Sequence, residues 1–324
     1  MATKSIKRIG VLTSGGDAPG MNAAIRSIVR YAIHNKLEVI GISRGYAGLI
    51  NEELEPLTHR SVSNIINRGG TILKTARSKE FKTPEGQKRA VEVIKKNNID
   101  ALIIIGGNGT HRGAYELFKK WKVPVVGVGS TIDNDLNGID YTLGYDTAVN
   151  TALEAIDKIR DTATSMERIF VVEVMGRDSG LIALQVALAA GAEEVLIPEV
   201  KFDFEKICHD IVEGNLRGKI SWIIIVAEGA ASGQEIGKKI EELTDLETKV
   251  VVLGHVQRGG TPSARDRILA ARLGTAAVDL VLKNEFGKTV GLKGEELNIL
   301  DIETAMKKKE LDLENLYKLV RVLT

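Results

Sequence analysis

Short apolar runs punctuate the chain at residues 8–12, 37–42, 101–105, 123–128, 169–174, 194–197, 222–226 and 250–253. Each gives way to glycines or polar residues and then to a stretch of helical periodicity, the alternation expected of an α/β fold with parallel sheets. Runs such as ALIII (101–105) and WIIIV (222–226) are apolar at every position, which fits strands buried on both faces. In open sheets of this kind ligands bind beyond the carboxyl ends of the strands. The residues just after each run are therefore where chemistry is sought. Residues 146–159 place Val149, Leu153, Ile156 and Ile159 at helical spacing and predict a long amphipathic helix able to join two domains. Composition marks no boundary, since no linker, repeat or low-complexity segment interrupts the pattern.

With 324 residues, 44% of them apolar, the chain can bury a sizeable core and has the length of about two domains. Its 44 basic residues nearly cancel its 43 acidic ones, so it carries no global field for a polyanion or an acidic membrane. Nucleic acid and membrane are not expected partners. Cys208 is the single cysteine, which excludes an internal disulfide and fits a reducing compartment. With no His or Asn constellation readable around it, Cys208 reads as packing. The N-terminus runs directly into a strand-like segment without a long apolar region or cleavage signal, and no stretch approaches the roughly 20 apolar residues of a membrane span. A cytoplasmic protein is expected.

The first run ends in Thr13-Ser14-Gly15-Gly16-Asp17-Ala18-Pro19-Gly20-Met21-Asn22, after which residues 23–35 read as a helix. Paired glycines let backbone N–H groups approach an anion, and a helix start adds a favourable dipole. A second such turn, Gly106-Gly107-Asn108-Gly109-Thr110, follows residues 101–105. Ordinary strand-to-helix turns use the same glycines, so these segments alone leave both readings open. Neither turn has the GxGxxG register of a dinucleotide site; residues 214–219 are one residue short of a P-loop, with no Ser or Thr after Lys219; and no HRD or DFG occurs.

Residues 129–135, Gly-Ser-Thr-Ile-Asp-Asn-Asp, follow the run at 123–128. If the backbone stays extended, Thr131, Asp133 and Asp135 project to one side. Two carboxylates and a hydroxyl in a small volume are costly without a cation or a proton in transit, which suggests a magnesium ligand beside a general base. The competing reading is that both aspartates merely cap or turn the chain.

SGGDAPGMN, the GGxG turn, TIDND, VVEVMGR (171–177) and GHVQRGG (254–260) occur in the order and spacing of bacterial 6-phosphofructokinases, and the chain resembles that family over nearly its whole length. The resemblance implies two doubly wound, mostly parallel-sheet, Rossmann-like domains. These are a nucleotide-binding domain (1–144 with 257–307) and a fructose 6-phosphate-binding domain (145–256 with 308–324). It further implies phosphorylation of the 1-hydroxyl of fructose 6-phosphate by ATP with Mg²⁺, giving fructose 1,6-bisphosphate and ADP, in a homotetramer.

Carried over position by position, the resemblance makes Asp133 the base, Asp135 and Asn108 the magnesium-side residues, and Thr131 a contact of the reacting phosphoryl group or sugar. Arg177 would stabilise charge on the phosphoryl group. Gly16, Tyr46, Arg77, Ser78, Gly107, Asn108, Gly109 and Thr110 match the ATP site. Arg168, Met175, Gly176, Arg177, Glu228, Lys249, His255 and Arg258 match the sugar-phosphate site, with Arg168 and Lys249 serving a neighbouring subunit. Arg26 and Arg30, which on a plain reading are the polar face of an amphipathic helix, join His59, Arg60, Arg160, Gly191, Glu193, Arg217 and Lys219 in matching the effector pocket for ADP and phosphoenolpyruvate.

The sequence departs from the family pattern at Asn108 and Lys249, where Asp and Arg are usual, at Ser130 for Gly, at Ser78 for an aromatic and at His59 for Arg. An amide binds Mg²⁺ more weakly than a carboxylate, and Lys lacks the bidentate fork. Pyrophosphate-dependent relatives put larger groups where Gly109 and Ser130 stand, so ATP is the expected donor. The alternatives are a pyrophosphate-dependent enzyme and a weakly catalytic regulatory subunit, the latter suggested by Asn108.

Overall fold

The computed structural model describes residues 5–323. Its strands are β1 (Arg8–Thr13), β2 (Glu38–Ile42), β3 (Leu54–Leu57), β4 (Ala101–Gly106), β5 (Val125–Gly129), β6 (Ile169–Val174), β7 (Glu194–Leu196), β8 (Trp222–Ala227), β9 (Thr248–Val252), β10 (Lys288–Lys293) and β11 (Glu296–Asp301). The chain forms two compact units. Unit 1 runs to Thr147 and resumes over Arg258–Glu310; unit 2 comprises Ala148–Gln257 and the chain from Leu311 onward. The boundary at 147/148 falls inside the helix Tyr145–Met166, seven residues longer at its end than the periodicity at 146–159 indicates.

Unit 1 is built on a sheet of order β11-β10-β5-β4-β1-β2-β3. β10, β5, β4, β1 and β2 are mutually parallel, whereas β3 and β11 pair antiparallel at the two edges. These antiparallel edges, absent from the sequence expectation, are short or alternating: β3 contains Pro56, and β10 turns into β11 through Gly294 at φ 59°. β4 is buried at all six positions, and each such Leu or Ile contributes about 1.5–3 kcal/mol relative to exposure. The helices Met21–His34 and Ala264–Leu282 lie together, with Ser27 Oγ donating to Ala270 O at 2.9 Å. After β1 the chain moves to β2 and β3 on one side, then returns to place β4 and β5 on the other. The topological switch point is therefore between β1 and β4, the crevice where open α/β sheets bind ligands.

Unit 2 has the all-parallel order β7-β8-β6-β9. Cys208 sits in its core with Ile169, Val171, Leu196, Ile207 and Ile224, and burial pushes the thiol above its ordinary pKa. A protonated, buried thiol has no nucleophilic use.

Candidate active site

Three consecutive strand ends of unit 1 carry the chemistry. The turns after β1, β4 and β5 are stitched together by Ser14 N to Ile105 O (3.2 Å), Thr110 Oγ1 to Ser14 O (2.8 Å) and Ser130 N to Gly106 O (3.0 Å). Gly107 caps the helix Asn108–Trp121. Its carbonyl accepts from Thr110 N, His111 N and His111 Nδ1 (3.0 Å). Because a carbonyl only accepts, Nδ1 holds the proton, and Nε2 accepts from Thr289 Oγ1 at 2.8 Å. Burial lowers the His111 pKa, in keeping with this neutral form. Glycine turn and helix start thus lie at the switch point, the kind of place where backbone N–H groups take an anion.

Gly16 answers to a close approach: a Cβ there would stand 2.2 Å from Arg258 Nη1, which donates to Asp17 O at 3.2 Å. Asn22 ties the loop at 68–72 to this edge, donating to Arg68 O and Gly69 O and accepting from Ile72 N. Around Gly109 no heavy atom lies within 4 Å of a built Cβ, so that turn opens onto free space. Ser130 does not share that opening. It is 1% exposed, with its hydroxyl turned to Leu143 O, so the expectation that it lines space for a nucleotide is corrected. Thr110 is also buried, and Ser78 Oγ accepts from Phe81 N at the start of a short 3₁₀ turn. Tyr46 is 5% exposed, stacked on Phe81 at 4.0 Å with its hydroxyl on Thr110 O. It supports the second glycine turn from beneath. Arg77 is exposed.

The loop bearing Thr131, Asp133 and Asp135 is not extended. Asn134 is left-handed at φ 51°, so the even spacing that put three side chains on one side of a strand does not apply. Asn134 is what forms the turn: its Nδ2 donates to Asp140 O (2.7 Å), and its Oδ1 accepts from Thr142 N (3.0 Å) and Thr142 Oγ1 (3.1 Å). Thr142 Oγ1 also reaches Thr131 O at 2.6 Å. Thr131 Oγ1 accepts from Asp133 N, and Asp133 is 2% exposed. Asx-type bonding of this sort tolerates the left-handed residue.

Asp135 meets the second glycine turn. Asn108 Nδ2 donates to Asp135 Oδ2 at 2.7 Å, while Asn108 Oδ1 and Asp135 Oδ1 are buried without a hydrogen-bond partner. Two orphaned oxygen acceptors side by side suit a hard cation. No cluster of three His, Cys, Asp or Glu occurs among the described residues, so a metal here would rely on ligands brought by its substrate.

In unit 2, the turn after β6 holds Met175, Gly176 and Arg177. Gln257 Oε1 accepts from Met175 N at 2.8 Å, and Glu228 Oε1, at the end of β8, accepts from Gly176 N (3.1 Å) and Arg177 N (2.8 Å). Gly176 adopts φ 145°, where a Cβ would meet Ser179 O at 2.4 Å, and Arg177 is left-handed at φ 53°. A non-glycine residue pays about 1–2 kcal/mol for that conformation; the carboxylate bonds offset it. His255, just past β9, is exposed on the same carboxyl edge.

Arg168 and Lys249 lie at the opposite end of this sheet. Arg168 precedes β6, Lys249 sits second in β9, and both bind Glu247: Arg168 Nε to Oε2 at 2.7 Å, Lys249 Nζ to Oε1 at 2.8 Å. Lys249 foremost, then Arg168, holds the Glu247 carboxyl below its ordinary range. A second charged group shares this amino edge. Glu193 Oε1 faces Arg160 Nη1 (3.8 Å) and Lys219 Nζ (3.5 Å), Arg160 donates to Gly191 O, and Lys219 lies 4.7 Å from the Trp222 ring. Arg217 instead pairs with Glu213 along its own helix. Arg26 and Arg30 belong to unit 1 on the helix Met21–His34, and His59 and Arg60 to the exposed turn after β3.

Sequence reasoning missed Glu247, Gln257, His111 and the scaffold role of Asn134. Only the last carried a local signal, an Asn at a turn.

A phosphofructokinase family model matches residues 8–281. The ATP-dependent 6-phosphofructokinase of Oceanobacillus iheyensis is 53% identical over 319 residues, covering 98% of this chain and all of that relative; that of Bacillus subtilis is 54% identical over the same span. Among solved structures, phosphofructokinase from Saccharomyces cerevisiae matches with a TM-score of 0.86 at 36% identity, over 93% of this chain and 45% of the yeast chain. The glycine turns, the TIDND loop and the two sheets described above lie within those matches, and the chain belongs to the phosphofructokinase family.

Proposed function

We propose that this chain is an ATP-dependent 6-phosphofructokinase. The observation that carries the reading is the meeting, at the switch point of unit 1, of two glycine turns with the loop bearing Asp133 and Asp135. Unit 1 takes the nucleotide and unit 2 the sugar phosphate. Asp133 accepts the proton of the sugar's 1-hydroxyl; the oxygen so freed bonds to the γ-phosphorus of ATP, and the bond to the β,γ-bridging oxygen breaks. Fructose 1,6-bisphosphate and ADP result. Backbone N–H groups at Gly16 and at residues 107–109 hold the phosphates, and Arg177 stabilises charge on the group in transit. Mg²⁺ bound with ATP supplies charge neutralisation at the phosphates, with Asp135 and Asn108 as its protein-side oxygens. ATP as donor is supported by the names of the relatives and by the open space at Gly109.

Arg168 and Lys249 support a shared-site assembly. β6 has six residues, about 20 Å at 3.3 Å each, so these cations stand a strand's length from the turn with Arg177. Their use is in the site of another copy, within a homotetramer. Arg160, Glu193 and Lys219 of unit 2 suit the phosphate and metal of effectors such as ADP and phosphoenolpyruvate.

The test is a coupled assay of the purified chain on fructose 6-phosphate with Mg²⁺ and either ATP or pyrophosphate. Product is expected with ATP alone. Turnover of pyrophosphate without ATP turnover would overturn the donor; no turnover with either would favour a regulatory subunit.

A further inference from the structure

Three lysines follow one another at 307–309, and the first two are exposed. The third turns inward. Lys309 Nζ donates to Asn134 O at 2.9 Å and to Ile139 O at 2.7 Å, closing both ends of a six-residue span that follows Asp133 and includes Asp135. The segment carrying it runs along the back of that loop: Leu136 bridges to Lys308, Asn137 N donates to Ala305 O, and Asn137 Nδ2 donates to Thr304 O. All of this lies within unit 1.

An ammonium withdrawn from water is costly unless its donors are satisfied. Burial pulls Lys309 below the ordinary lysine range, and the charges of Asp140 and Asp135 counter that pull. A neutral side chain would fill the same volume and cost nothing in desolvation, so the charge needs a use. Two facts identify it. The carbonyls bound are those of the left-handed Asn134, which stands between Asp133 and Asp135, and of Ile139, four residues beyond Asp135. The nearby charges named above include Asp135, whose neighbour in space is Asn108 rather than a basic residue.

We propose that Lys309 is a positioning residue for phosphoryl transfer, a half-buried cation that clamps the 134–139 loop from behind and so fixes Asp133 and Asp135 against the two glycine turns. The clamp rests on the proposed function. It touches no substrate, so its loss acts on the chemical step rather than on binding.

The experiment compares Lys309→Met, Lys309→Arg and the exposed control Lys308→Met in the full chain, after the parent's activity on fructose 6-phosphate and ATP is established. Misplacing a reacting group by about 1 Å costs up to about 100-fold, so kcat of Lys309→Met is expected to fall about 10- to 100-fold, with both KM values within about threefold. Lys309→Arg, which can donate to both carbonyls, should recover most of that loss; Lys308→Met should match the parent. Hydrogen exchange gives a readout independent of turnover: amides of residues 131–142 should exchange at least about tenfold faster in Lys309→Met while those of β4 do not change. A kcat within twofold of the parent, or faster exchange spread evenly over unit 1 with no rescue by Arg, overturns the clamp. If Lys309→Met does not fold, Lys309→Gln, whose shorter side chain carries an uncharged amide, takes its place with the same expected split between kcat and KM. A parent inactive on these substrates counts against the proposed function, and the exchange pattern then decides the clamp by itself.

Discussion

The two ends of the four-stranded sheet in unit 2 are built on different principles. At the carboxyl end, backbone N–H groups of Met175, Gly176 and Arg177 are held by the side chains of Gln257 and Glu228, and Gln257 is fully buried. At the amino end, Arg168, Lys249 and Glu247 form ion pairs with side chains that remain substantially in solvent. The Gln257 bond is buried, and the Glu228 bonds, made by an exposed carboxylate, close a turn that Gly176 and Arg177 hold at positive φ; together these bonds to backbone fix one geometry. Exposed pairs are worth about 0–1 kcal/mol and exchange partners readily. The first arrangement suits a group that must be in place when charge develops, the second a set of cations that takes up a phosphate when one arrives.

The largest expected effect falls on the rigid type of site. Asp133→Ser should lower kcat by about 10²- to 10⁴-fold, the range for loss of a general base, with KM for fructose 6-phosphate near the parent's; steady-state kinetics that show an active variant would remove Asp133 from its role. Arg168→Ser comes next. Loss of one charge-assisted phosphate bond, about 1.5–3 kcal/mol, should raise KM for fructose 6-phosphate roughly 10- to 150-fold while kcat stays closer to parental. A fall confined to kcat would contradict the capture role of the amino end.

Asn108→Asp is a smaller step. In the parent, the Asn108 amide satisfies one oxygen of Asp135 by itself; a carboxylate there would repel Asp135 until a cation arrives. The variant is expected to saturate at lower free Mg²⁺ and to turn over a few-fold faster, and to be less stable in EDTA. Superimposable Mg²⁺ titrations of the two forms would show that position 108 does not serve the metal.

Glu247→Gln should do least. Its folded pKa lies below the ordinary value of 4.5, so the pair's contribution is complete above that value and is lost as pH falls through the lower folded one. At pH 7 the substitution should shift the unfolding midpoint by no more than about 4 °C, since exposed ion pairs contribute little to stability. Between parent and variant, any pH dependence of the difference should appear only in acid. A shift that persists unchanged at pH 3 would mean the carboxylate charge is not its source.

Apolar runs marked β1, β2 and β4 to β9 in the sequence, most of them strands buried on both faces, with β9 read from its valines although it is only partly buried. β3 and β11 could not, because edge strands need no continuous apolar face and β11 alternates between exposed and half-buried positions; β10, KTVGLK, is internal but its apolar run is broken by Thr289 and Gly291. The candidate site was legible as motifs but not as geometry. The TIDND spacing pointed to one extended face, whereas Asn134, bonded to Asp140 O and Thr142, bends the chain through a left-handed turn. Ser130 looked like part of an open nucleotide space and proves to be buried. Lys309 had no local signal at all: in sequence it is the end of a solvated run of lysines, and only the β5–loop–304–309 packing brings it to Asn134 and Ile139. Glu247 similarly gains meaning only once β6 and β9 are neighbours.

The proposal that Arg168 serves a site on another copy, and not the one that holds Asp133 of its own chain, is tested most directly by complementation. Asp133→Ser chains and Arg168→Ser chains, each purified and nearly inactive at low fructose 6-phosphate, are mixed under conditions where subunit exchange is verified by mass spectrometry of differently tagged chains. If Arg168 completes a site on another copy, hybrids contain some sites with neither lesion, and activity should return to a sizeable fraction of the parent's with a parental KM. Verified exchange with no activity above that of the separate variants would contradict the account, because it would place Asp133 and Arg168 of the same chain in one site.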